Sequence, residues 1–241
     1  VFMALFGVNF SVYYLLLMRK VGLAVRDEEV RLYFLILLAS GALIAWDIRD
    51  LTPDVSDRIR HAYFQVSSIM TTTGFSTVDF DAWPAFSKSI LLCLMAVGAC
   101  AGSTGGGLKV IRLSIMVKSL RRAVRRTLRP NSVQLVRVNG KVLGDDVLHN
   151  VSAYLVAYVL IAFGSFMIVS LDEFSLESNL SAVFACFNNI GPGFGAVGPL
   201  ANYDCFSDLS KLVLTLDMLL GRLEIFPLLA LASRHSWSRR L

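Results

Sequence analysis

Charge is scarce in this sequence. Asp, Glu, Lys and Arg supply 17% of its 241 residues, against ~25% in an ordinary soluble domain. Apolar residues reach 55%, and mean hydropathy is +0.62. That balance excludes disorder and is too apolar for a soluble fold. Cysteine is scarce too: Cys93, Cys100, Cys186 and Cys205 show no CxxC spacing, so neither a zinc site nor a disulfide framework is indicated. His61, His149 and His235 are scattered, with no nucleophile or metal partner that spacing can name. An enzyme therefore has no support, and no cofactor is expected. Acidic residues are missing between Lys109 and Lys141, a window with ten basic residues in a chain of net charge +5. It also lacks aromatics and adjoins apolar spans, which argues against a nucleic-acid partner. An initiator Met is absent, and Val1 opens inside an apolar run. The chain reads as a piece of a longer protein, with targeting not judged from such a start.

What is present is apolar length. Leu148 to Leu171 runs for about 24 residues without formal charge, enough at 1.5 Å per residue to cross a ~30 Å hydrocarbon core. Val1–Met18, Leu32–Trp46, Trp83–Ala101 and Leu209–Ala232 are similar. Any one of them could be a buried core helix; five together predict an all-α membrane protein. Two shorter apolar stretches, Ile59–Met70 and Asn179–Ile190, are too short to span and suit re-entrant segments. Each ends in a glycine-bearing polar string, so the chain reads as helix, half-helix plus loop, helix, done twice. Thr52-Pro53-Asp54 predicts an N-cap followed by proline at the first position of the first half-helix.

Basic residues give the orientation. Read alternately across the spans, one side receives seventeen of the 23 Lys and Arg and is expected to be cytoplasmic. Acidic residues such as Asp47, Asp54, Asp79, Asp81 and Asp204 gather on the other, as a cation-concentrating vestibule or as ordinary solvated loop charge. Within the basic window, alternation from Ser132 to Leu143 broken by Asn139-Gly140 predicts a β-hairpin projecting into the cytosol. Asn9, Asn150 and Asn179 fit the glycosylation pattern and are read as chance matches.

Backbone that is neither helix nor closed barrel cannot face lipid, so a string at membrane depth lines a water-filled path or is buried in protein. Thr71-Thr72-Thr73-Gly74-Phe75 and Asn189-Ile190-Gly191-Pro192-Gly193 are such strings. Carbonyl oxygens aimed at a pore axis can replace a cation's hydration shell, with glycine where other residues resist the dihedrals. Gly74 fills that need in the first string. In the second, Gly191 and Gly193 tie, and Gly191 is preferred because Asn189-Ile190-Gly191-Pro192 parallels Thr72-Thr73-Gly74-Phe75. The plain alternative is that each glycine serves a turn between spans. The C-terminal ends of the half-helices would also favour a cation near the midplane.

Gly98, Gly102, Gly105, Gly106 and Gly107 interrupt the span after the first string. Leu108 stands where a phosphate loop needs lysine, and Ala99 and Ala101 fill glycine places of a nucleophile elbow. A helix break at depth remains. Arg222, inside the last span, costs of order 3 kcal/mol at a helix centre. Loop carbonyls around Gly102–Gly107 are one compensation, and snorkelling or helix pairing is the other.

TTTGFSTVDFDAWP from Thr71, GACAGSTGGGLKVIR from Gly98, NNIGPGFG from Asn188 and GRLEIFP from Gly221 together resemble the Trk/Ktr family of potassium transporters, its TrkH-like branch above all. The four motifs run in order over nearly the whole chain. The resemblance implies a potassium-channel-like architecture of four helix, pore-loop, helix repeats, of which this chain holds the third and fourth. It divides the chain into a last helix of the preceding repeat (1–18), a third repeat (19–126) with an intramembrane loop (98–107), a cytosolic linker with the hairpin (127–146), a fourth repeat (147–232) and a cytosolic tail (233–241). It implies a filter for potassium ion built from Thr71, Thr72, Thr73, Gly74 and Phe75 with Asn189, Ile190, Gly191 and Pro192. The ion itself would sit at Thr72, Thr73, Gly74, Asn189, Ile190 and Gly191. It further implies a gate of Gly102, Gly105, Gly106, Gly107 and Arg222. The expected setting is a multi-pass protein of a bacterial-type inner membrane. Its partners would be membrane lipid, the N-terminal half of the same polypeptide, a second copy in a homodimer and a TrkA-like nucleotide-binding regulatory subunit in the cytosol. A sodium-permeable or sodium-coupled relative, or a non-conducting scaffold or sensor, is the alternative.

Overall fold

The computed structural model describes residues 1–129, 135–223 and 225–232. The tail 233–241, Glu224 and the start of the expected hairpin at Ser132 to Gln134 lie outside the described residues. The first apolar run forms two short helices, α1 (Phe2–Phe6) and α2 (Phe10–Leu17), where one span was expected. They part at Gly7 to Asn9, where the Asn9 side chain accepts from Ser11 N and caps α2. After α3 (Val21–Arg26) the first unit begins with α4 (Glu28–Asp47), capped by Asp27, whose carboxylate accepts from Glu29 N and Val30 N. The half-helix α5 (Val55–Met70) is capped by Asp54. The expectation of a Thr52 cap with Pro53 inside the helix is corrected: the Asp54 carboxylate takes the Asp57 amide and starts the helix two residues later.

The unit continues through α6 (Ala85–Val97), the loop 98–109 and α7 (Val110–Leu128). The expected span Trp83–Ala101 thus shrinks to 13 helical residues, ended by Gly98 at φ +71. The second unit is α8 (Asp145–Val169), the half-helix α9 (Leu176–Phe187), a loop, then α10 (Asp208–Leu223) and α11 (Ile225–Ala232). By length and apolarity, Glu28–Asp50 and Asp145–Asp172 each suffice to cross a membrane. In both units the half-helix packs against its flanking helices, α5 on α4 and α6, α9 on α8 and α10.

Each unit has its own core. Tyr33, Ile44, Ile69, Met70, Leu91 and Met95 fill the first, and Tyr158, Val169, Val183, Phe187 and Leu214 the second. The units meet where Phe80 and Phe194 cross edge to face at 5.6 Å between ring centres, a favoured aromatic geometry. Lys88 adds an ion pair to Glu177 across the same seam, at 2.7 Å.

Between the units a two-stranded ribbon, β1 (Arg137–Val138) and β2 (Lys141–Val142), turns at Asn139-Gly140 with both residues at positive φ, the geometry that favours this dipeptide. The ribbon does not project freely as expected. Asn139 Oδ1 accepts from Glu28 N at 2.8 Å and its amide donates to Asp27 at 2.8 Å, so the turn is folded onto the start of α4.

Candidate functional site: two pore loops above a glycine-rich loop

The two half-helices end alike. Thr71 (φ −92°, ψ 6°) follows α5 and Asn188 (φ −96°, ψ 5°) follows α9. The next residues, Thr72 and Asn189, are left-handed at φ +54° and +56°. Thr73 N then bonds Ser68 O at 2.8 Å, as Ile190 N bonds Ala185 O at 2.8 Å. Gly74 and Gly191 come next at φ +79° and +113°, while Gly193 is not at positive φ. The backbone therefore pairs Gly191 with Gly74, and Pro192 with Phe75.

Among the described hydrogen bonds, none is accepted by the main-chain carbonyls of Thr71 to Gly74 or of Asn188 to Ile190. Thr72, Thr73, Gly74 and Asn189 are half-buried or exposed, so these oxygens are open to solvent or to a ligand. The runs are in contact: a Cβ built on Gly74 would lie 2.1 Å from Ile190 O. The Gly191 oxygen differs from its neighbours in accepting one hydrogen bond, from Tyr203 Oη at 2.6 Å. Burial pushes the Tyr203 phenol up, so it stays a donor. Phe75 is likewise engaged, its carbonyl accepting from Ser68 Oγ at 2.6 Å.

The loop 98–109 lies against both strings. Gly106 N donates to Thr72 Oγ1 at 2.8 Å, and a Cβ on Gly106 would meet Asn188 O at 2.5 Å. Gly107 sits beside the Asn188 side chain, where a Cβ would be 3.2 Å from Oδ1. The approach at Gly106 demands glycine, and at Gly107 a φ of +79° does so. Gly102 is held from the other side, its carbonyl accepting from Phe10 N at 3.1 Å.

Arg222 reaches the loop, as Nη1 donates to Thr104 O at 3.1 Å. Thr104 lies within the Gly102–Gly107 stretch whose carbonyls were one of the two compensations expected for Arg222. The neighbouring Gly105 O accepts from Lys109 Nζ.

Several residues of this site escaped the sequence. Glu29 is buried, and its Oε1 accepts from Ala101 N at 2.6 Å and Ile111 N at 3.2 Å, so one carboxylate closes the glycine-rich loop at both ends. An acid at the head of an apolar span was the available signal. Asn188 is fully buried and donates to Tyr158 Oη at 2.9 Å, 30 residues away. Asn9, read only as a chance glycosylation match, stands beside Gly102. Tyr203 carried no signal, because nothing local marks its reach back to Gly191.

Residues 1–239 match the family model described as TrkH, cation transport protein. The Trk system potassium uptake protein TrkH of Escherichia coli (strain K12) is 34% identical over 244 residues, covering 98% of this chain and 49% of that protein. TrkH of Vibrio parahaemolyticus is 40% identical over 185 residues, 75% of this chain and 37% of that protein. The crystal structure of the potassium transporter TrkH from Vibrio parahaemolyticus superposes with TM-score 0.87 at 32% identity, covering 98% of this chain and 51% of that one. The chain spans about half the length of the curated relatives it matches.

Proposed function

The chain belongs to the TrkH family of cation transport proteins, and on that footing we propose that it is the C-terminal half of a potassium-translocating membrane protein, holding two of its pore repeats. The carrying observation is the pair of strings with matched dihedrals and unpartnered carbonyls at Thr71 to Gly74 and Asn188 to Ile190. Such oxygens replace water around a dehydrated cation. The C-terminal ends of α5 and α9 add partial negative charge at the same depth. Pairing with two further repeats, from an N-terminal half, would close a ring of four strings around one axis.

In this reading the loop 98–109 is the gate. It presses on both strings through Gly106, and Arg222 holds it by Thr104 O. A guanidinium below the filter also repels a passing cation where water is scarce. A nucleotide-binding regulatory subunit docking on the cytosolic face with the hairpin would move this loop, in an inner-membrane homodimer.

The test is cation flux through the full-length protein reconstituted in vesicles. Rubidium or potassium entry that sodium does not match supports the reading; sodium entry at equal rate sinks the potassium assignment, and no flux of either sinks the pore. For the gate, Arg222→Ala loses a charged hydrogen bond worth roughly 1.5–3 kcal/mol. Basal flux should then rise at least about tenfold. Flux at or below the parent, in a variant that reaches the membrane, leaves Arg222 a structural anchor.

A further inference from the structure

Beyond the loop, α7 carries two unlike faces. Val117, Leu120, Val124 and Leu128 are exposed and recur every three or four residues, so they form one apolar stripe. Lys118, Arg121, Arg122, Arg125 and Arg126 flank it. An apolar stripe with an arginine-rich flank is the pattern of a helix lying at the lipid headgroups, apolar side toward the acyl chains.

The same helix and the segment leading into the ribbon line an open cavity of about 200 Å³ whose charged lining is Lys118, Arg121, Arg122, Arg125 and Arg137. Two of these cations are committed. Lys118 pairs with Glu28, and Arg122 Nη1 donates to Asp145 Oδ1 at 2.7 Å. Arg121, Arg125 and Arg137 have no ion pair among the described residues. Three guanidiniums without an ion pair among the described residues, all exposed at one open cleft, are available to an anion. Depth is fixed by Arg122, whose partner Asp145 opens the candidate span Asp145–Asp172. The cavity is therefore level with the end of a membrane-crossing helix.

We infer that this cavity binds the phosphate of an anionic phospholipid, with Arg121, Arg125 and Arg137 on the phosphate oxygens and the Val117–Leu128 stripe on the acyl chains. The planar guanidinium fork matches phosphate geometry, and juxtamembrane basic pockets are suited to such headgroups. Free inorganic phosphate shares the headgroup chemistry but leaves the stripe uncovered. The inference needs only that the chain is in a membrane and is independent of the pore reading.

The test places the full-length protein in nanodiscs of phosphatidylcholine with one quarter phosphatidylglycerol and reads retained lipid by native mass spectrometry. The parent should prefer phosphatidylglycerol, and the triple variant Arg121→Gln, Arg125→Gln, Arg137→Gln should lose that preference by at least about tenfold, as expected for losing charge-assisted contacts. If the triple variant does not fold, Arg125→Gln alone is read, and an unchanged preference there overturns the site. Leu120→Ser with Val124→Ser should lower lipid retention while leaving the guanidiniums in place. Inorganic phosphate that displaces phosphatidylglycerol, with the serine variant retaining lipid like the parent, means a free-phosphate site and overturns the lipid. Dissociation of an oligomer by the serine variant means a second copy covers the stripe, and overturns it equally.

Discussion

The two pore units share a backbone and differ in what holds it. In the first, the string is hemmed in: Gly74 has Ile190 O where a Cβ would stand, Ser68 ties Phe75 O, and the Thr71 and Thr73 hydroxyls meet at 2.8 Å. In the second, nothing lies within 4 Å of a Cβ on Gly191. Restraint comes there from larger side chains reaching in, Tyr203 to the Gly191 carbonyl and Tyr158 to Asn188. Closeness is instead placed between helices, since a Cβ on Gly221 of α10 would fall 1.7 Å from Phe187 O at the end of α9. One set of dihedrals is thus specified twice, once by neighbouring hydroxyls and steric contact, once by distant phenols. The two glycines should therefore differ in cost when replaced.

Gly74→Ala against Gly191→Ala is the sharpest test of that difference. Both substitutions put a side chain at positive φ, a strain of about 1–3 kcal/mol. Only Gly74→Ala adds a collision with a backbone carbonyl, and that carbonyl belongs to the other string. Potassium uptake in cells lacking their own uptake systems should be abolished by Gly74→Ala. Gly191→Ala should lower it by roughly five- to 150-fold, the range its strain converts to. Equal losses would break the contrast between a crowded and an open loop.

This asymmetry marks where legibility in the sequence stops. Both half-helices, both strings and the pairing of Gly191 with Gly74 follow from apolar length and glycine spacing, because those report local backbone demands. The hairpin turn at Asn139-Gly140 is local in the same sense. Its docking on Asp27 and Glu28 is not, since 111 residues separate Glu28 from Asn139. The broken first span was misread because α1 and α2 are apolar throughout, and composition does not record a break whose cause is a cap at Asn9. Arg222 showed that it needed a carbonyl and the glycine-rich stretch offered several, but which one it takes, Thr104 O, is set by the fold.

The loop 98–109 belongs to the first unit alone, and Glu29 distinguishes its role from that of a passive connection. Glu29→Ala leaves Ala101 N and Ile111 N without their acceptor, and hydrogen bonds to a charged group contribute about 1.5–3 kcal/mol each. Glu29→Gln keeps an oxygen for both amides. If the carboxylate clamps the gate loop, Glu29→Ala should raise basal potassium leak in vesicles by roughly tenfold or more, with Glu29→Gln close to the parent. Identical behaviour of the two variants would assign Glu29 to charge and not to holding the loop ends.

The smallest effect should come from Tyr203→Phe, which removes one hydroxyl and leaves the ring in its place between Phe206 and the core of the second unit. The lost bond to Gly191 O is neutral, worth about 1 kcal/mol, and in the proposed reading the freed carbonyl joins those of Asn189 and Ile190 on the ion path. Stability should fall slightly, by a few degrees in thermal unfolding. Selectivity should shift more than total flux, because an added unrestrained oxygen changes which cation size the string tolerates. The measurement is the ratio of potassium to sodium uptake in Tyr203→Phe against Ser68→Ala, the variant that frees Phe75 O in the first unit. A shift with Tyr203→Phe and none with Ser68→Ala would show that the second string is held open by its phenol while the first is held by steric contact. Equal shifts would mean that both strings depend on a tethered carbonyl, and the two units would then be alike in mechanism despite their different neighbours.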